Sequence, residues 1–189
     1  MELFLVILGI LIALLYFWYA KIIGRKNSVK ESLSGIDVQL LKRSELIPNI
    51  LAIAKKFMEH EKDLIETVTK LRTQEAGVYN ESDPISVEKH LEFSSALGSE
   101  MGRLMISMEA YPDLKSNESM LQAQKTYNEV EAQIAAARRF YNASVTQLNN
   151  SIEIFPGNLL APLAKAEIMP FFEIDEIARE PINAAEVLN

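Results

Sequence analysis

The apolar positions of this chain fall into blocks with different periods, and each block predicts a different element. From Leu3 to Ala20, 17 of 18 residues are apolar and Gly9 is the exception. At about 1.5 Å per residue such a run crosses a bilayer core of roughly 30 Å, with Ile22 and Ile23 extending it past a snorkelling Lys21. The span is therefore expected over residues 3–23. A cleaved signal peptide needs a basic leader, a shorter apolar run and a small-x-small site, and the stretch around Ala20-Lys21-Ile22 has none of these. Val29, Leu33, Ile36 and Leu40 then keep helical spacing, with only Gly24 as a soft point, so the span is expected to run on as one helix.

Ser44 as N-cap, Glu45 in the first turn and Pro48 predict a break or strong kink near residues 43–48. A second helix should follow, marked by Ile47, Ile50, Leu51, Ala54, Phe57, Met58, Leu64, Ile65, Val68 and Leu71, and end near Gly77. Asp83-Pro84 opens a third as N-cap and first residue, and Tyr111-Pro112-Asp113 stops it. Beside its stripe stand Ser94, Gly98 and Gly102, four apart, where the glycines predict close approach of a neighbouring helix. In the fourth, Met120, Tyr127, Ile134, Tyr141, Leu148 and Phe155 recur every seven residues, backed by Val130, Ala137, Val145 and Ile152. That period implies coiled-coil-like packing along a helix of about 55 to 60 Å.

The fold expected is all-α: an N-terminal transmembrane helix followed by an elongated antiparallel up-and-down four-helix bundle. Residues 1–26 form the anchor, 27–156 the bundle with connections near 44, 80 and 114, and 157–189 a tail. Pro156, Pro162, Pro170 and Pro181 punctuate that tail, which is expected to pack through about Phe172 and to be mobile beyond.

Charge orients the span. Lys21, Arg25, Lys26 and Lys30 follow it, so the C-terminal domain is expected in the cytoplasm and the N-terminus outside. Tyr16, Phe17, Trp18 and Tyr19 sit at the same end as an aromatic belt. Residues 1–26 hold three basic and one acidic side chain, so the remaining 163 carry 16 basic against 25 acidic, a net −9. Nucleic acid is thereby disfavoured as a partner. The absence of cysteine removes disulfides, thiolate nucleophiles and cysteine metal sites.

Chemistry is sparse. His60 and His90 lack the glutamates of a di-iron helix and the second histidine of a zincin, and both read as surface residues at helix ends. No phosphate loop, dinucleotide fingerprint or nucleophile elbow is present. No catalytic, cofactor-binding or metal residue is therefore assigned. Glu131 and Arg138 occupy positions in the fourth helix where burial is expected, and pairing with Arg43 or Asp37 would set the register of the helices. Four sequons, at Asn80, Asn117, Asn142 and Asn149, read as chance matches in a cytoplasmic domain.

Several ordered motifs resemble the LemA family of bacterial inner-membrane proteins. Ile36-Asp37-Val38-Gln39-Leu40, Lys42-Arg43 and Leu46-Ile47-Pro48-Asn49-Ile50 carry the likeness most specifically. Ala110 to Lys115, Ala137-Arg138-Arg139-x-Tyr141-Asn142 and Phe155-Pro156-x-Asn158-Leu159 follow in order. Leu33, Leu41, Ser44 and Glu45 depart from the family pattern. The resemblance implies a short N-terminal anchor, an up-and-down helical bundle and no established activity or ligand. The expected function is non-enzymatic: an anchored bundle that organises or recruits partners at the inner face of the membrane, with a second copy of the chain also a candidate partner. Asp37, Gln39, Arg43 and Asn49 are the candidate interaction residues, against a purely structural role around Pro48. The rival expectation is a lipid or small-molecule module using the Gly98–Gly102 face and Met101, Met105 and Met108.

Overall fold

A computed structural model describes residues 1–173, and among them every regular element is helical. The first, α1, is one unbroken helix over Glu2–Ala54. Residues 1–17 are exposed along their whole length, Trp18 and Tyr19 are half-covered, and Ile22 is fully enclosed. Among the described residues nothing packs against this apolar stretch, which makes it a candidate membrane anchor, and it enters the domain without a joint. The core begins at Ile22, before the boundary expected after Lys26.

The break expected at residues 43–48 does not occur. Pro48 sits inside α1, where it has no N–H to donate to the carbonyl of Ser44. That carbonyl instead accepts from Arg72 Nε at 2.9 Å. A side chain from the next helix fills the gap in the backbone ladder, so the helix continues. The chain turns later, over residues 55–61, and α2 covers Lys62–Glu75.

The third helix, α3, spans Pro84–Met108, with the Asp83 side chain accepting from the Ser86 amide at 3.2 Å as its cap. A single turn, α4, covers Pro112–Lys115. The long helix α5 covers Glu118–Glu153, capped by Asn117, and α6 is a further turn at Gly157–Leu160. Of the seven-residue series, Met120, Tyr127, Ile134, Tyr141 and Leu148 are buried. Phe155 is 71% exposed, because the chain leaves the helix at Ile154. A residue preceding proline is disfavoured in helical conformation, and Pro156 cannot donate back to the helix. Gly157 is then obligatory, since a Cβ there would lie 1.8 Å from the Ser151 carbonyl oxygen.

Two apolar cores result. One joins Ile22, Leu33, Ile36 and Leu40 of α1 with Val87 and Leu91 of α3, Tyr141 and Leu148 of α5, and the tail. The other joins Ile47, Ile50 and Met58 with Ile65, Val68, Leu97, Leu104, Leu114 and Met120.

The tail packs as far as Phe172. Asn149 accepts from the Met169 amide and donates to the Met169 carbonyl, both at 3.0 Å. Asn142 does the same with Phe172, at 2.8 and 3.1 Å, and Tyr141 donates to the Pro170 carbonyl at 2.9 Å. Two of the sequon asparagines thus clamp the tail as strand neighbours would. The expectation of mobility beyond this point lies outside the described residues.

Candidate functional site

Between the two cores lies a polar layer. In α1 it falls between Leu40 and Ile47, in α3 between Leu91 and Leu97, and in α5 between Tyr127 and Ile134. Its centre is Arg43, only 2% exposed. The guanidinium donates through Nη2 to the Glu75 carboxylate, to the Ser94 carbonyl at 2.9 Å and to Ser94 Oγ at 2.9 Å. Through Nη1 it meets Glu131 Oε1 at 3.1 Å. One side chain therefore ties α1 to α2, α3 and α5 at once.

The fork geometry of arginine suits this task, because five donors diverge in one plane. Room for it comes from Gly98, where a Cβ would stand 3.2 Å from Nη1. Gly98 thus admits the Arg43 side chain of α1, whereas close approach of a neighbouring helix was expected. Gly102 has open space around its missing Cβ, while Met101 and Met108 are enclosed in the core.

Burial pulls the Arg43 guanidinium towards neutrality, and the carboxylates of Glu75 and Glu131 more than offset it, holding its pKa above the usual arginine value. Burial pushes the Glu75 carboxyl up in spite of its contact with Arg43. Tyr127, also in this layer, has its phenol raised by burial first and by the Glu131 charge second. The layer is built to keep a cation inside the protein.

A second polar group lies on the side of this layer nearer the apolar run. Asp37 accepts from Tyr79 Oη at 2.7 Å and from His90 Nε2 at 3.1 Å. A carboxylate only accepts, so the proton of His90 belongs on Nε2. The Tyr79 and His90 rings stack with centroids 3.9 Å apart. His90 is therefore buried and engaged, contrary to the surface role expected of it, while His60 is exposed.

Of the four candidate interaction residues, Asp37 and Arg43 make contacts within the chain. Gln39 is half-buried with its Oε1 enclosed, and Asn49 is exposed on the outer side of α1. Glu131 pairs with Arg43 as expected, whereas Arg138 lies over the Phe172 ring at 5.6 Å instead of meeting Asp37. The spacing of α2 held a signal for Glu75, since it follows Val68 by seven and Leu71 by four, a polar residue in a buried stripe. Ser94 stood in the small-residue row. Tyr79 and His90 gave no such signal, because their stacking depends on how the loop before α3 returns.

An all-helical domain with a continuous, unpacked apolar N-terminal helix defines the class. The family model for the LemA family matches residues 32–185. The chain belongs to the LemA family. It is also 25% identical over 186 residues to Protein LemA of Metamycoplasma hominis, an alignment covering 94% of this chain and 81% of that protein.

Proposed function

We propose that this protein is a non-enzymatic fixture of a bacterial plasma membrane, anchored once through α1, that organises or recruits partners at the inner face. The N-terminus lies outside and the helical domain in the cytoplasm, in keeping with Lys21, Arg25, Lys26 and Lys30 just past the apolar run. We read the domain as an up-and-down four-helix bundle. The C-terminal half of α5 shares a core with the anchor-side half of α1, and the two ends of α3 follow α1 in the same order.

The observation that carries the proposal is the division of the family's signature stretch on α1. Its inner side, with Asp37, Arg43 and Ile47, is spent on the fold. Its outer side leaves Val38 and Leu41 more than half exposed, in one row with Glu45 and Asn49. Apolar residues kept in water on a rigid helix suit a partner surface better than the buried polar layer does. Asn49 thus remains the best of the four candidate interaction residues.

Proximity labelling from a C-terminal fusion in the native cell tests this. The labelled proteins should be cytoplasmic, and Val38→Lys with Asn49→Ala should deplete specific members while membrane recovery stays constant. An unchanged set refutes the surface, and labelling of extracytoplasmic proteins refutes the topology.

A further inference from the structure

The corner where α5 passes into α6 carries four large apolar side chains in the open. Ile154, Phe155, Leu159 and Leu163 are 58%, 71%, 64% and 71% exposed. Leu160 and Ala164 of the same segment point into the core, and Leu159 and Leu163, four residues apart, share the opposite side. Helical hydrogen bonds from Ala161 to Gly157 and from Ala164 to Leu160 keep that side fixed.

The height of this corner is set by its neighbours. Ile154, Asn150 and Ser151 line a notch of about 240 Å³ together with Trp18, Lys21 and Arg25 of α1. Arg25 Nη1 donates to Gln147 Oε1 at 2.7 Å, and Lys26 Nζ donates to the Lys165 carbonyl at 2.6 Å. The corner is thus level with the place where α1 passes from bare to packed. Lys21 lies over the Trp18 ring at 4.5 Å, an arrangement suited to the headgroup region. Bases outnumber acids here, with Lys21, Arg25, Lys26 and Lys165 against Glu153 and Glu167.

We propose that this corner is a second, monotopic membrane contact: Ile154, Phe155, Leu159 and Leu163 dip into the cytoplasmic leaflet beside the span, and the surrounding bases meet anionic headgroups. Apolar side chains rimmed by bases at the level of an interfacial tryptophan have the make-up of an interfacial lipid contact. The occupant is the bilayer itself, because the surface is continuous with the helix that enters it. The inference rests on the reading of α1 as an anchor.

Trp18 is the single tryptophan of the chain, which permits both readings to be tested separately. The full chain is reconstituted in vesicles of phosphatidylcholine and phosphatidylglycerol, with or without acyl-chain bromination. Native protein reports Trp18; Trp18→Phe with Phe155→Trp reports the corner; Trp18→Phe with Leu121→Trp reports the far end. Helix content by circular dichroism checks each variant. The expected result is bromine quenching of the Phe155→Trp probe comparable to that of Trp18, with the Leu121→Trp probe unaffected. Quenching at Trp18 alone overturns the corner contact and leaves the anchor standing. Quenching at neither overturns both. Blue-shifted emission at the corner that bromine leaves unchanged means that a second copy covers it, and likewise overturns the proposal.

Discussion

Arg43 is held by three helices other than its own, and its two carboxylate partners differ in a way that matters. Glu75 is 3% exposed and Glu131 34% exposed, so removal of the arginine strands the first and leaves the second hydrated. Loss of one member of a buried ion pair costs about 3 to 5 kcal/mol, whereas apolar replacement of the whole pair is often neutral. Arg43→Met should therefore lower unfolding free energy by about that amount in urea titration. Arg43→Met combined with Glu75→Leu should recover most of the loss. If the double variant is as unstable as the single one, the layer owes its value to the Ser94 bonds instead.

At the scale of elements, Pro48 and Arg72 form a unit. In the native sequence Arg72→Ala leaves the Ser44 carbonyl without its donor and should cost about 1 kcal/mol. In a Pro48→Ala background the alanine amide supplies that bond, and the same change should cost little beyond lost packing. A double-mutant cycle reads the coupling directly, and additive effects would refute the compensation. A similar dependence holds for the tail. Asn149→Ala removes both bonds to Met169 and should raise hydrogen exchange at the Met169 amide while leaving the middle of α5 protected.

Elements were legible where local chemistry and packing agreed. The cap Asp83-Pro84, the seven-residue row from Met120 to Leu148 and the uninterrupted passage out of the span all follow from spacing. The turn at residues 55–61 was not legible, because Lys55 to Glu61 contains neither glycine nor proline and Phe57 and Met58 continue the apolar stripe. Proline at 48 pointed to the wrong place for a reason absent from local sequence: its compensating donor is 24 residues further on. The polar layer was half legible. Glu131 was visible as a charge in a buried row, but the fourfold use of Arg43 requires Gly98 and Ser94 to arrive at the same height from another helix.

For the molecule as a whole, the overlap between the candidate anchor and the core sets where the chain can be cut. Ile22 is fully buried, and Trp18 and Tyr19 pack against the same core. A chain beginning at Asn27 loses all three, and burial of one large aliphatic side chain alone is worth about 1.5 to 3 kcal/mol. It should unfold at lower urea than a chain beginning at Trp18, with a difference of about 2 to 4 kcal/mol. Equal midpoints would mean that the core closes without α1's first packed turn.

The jointless α1 also makes the domain a lever. From Ile22 to Ala54 the helix extends about 48 Å at about 1.5 Å per residue. With the apolar run inserted as proposed, a tilt of about 20° from the bilayer normal carries the far tip sideways by about 16 Å. Spans tilt to match the thickness of the lipid around them. The reach of this protein over the membrane surface is then set by how thick that membrane is, with no hinge to absorb the difference.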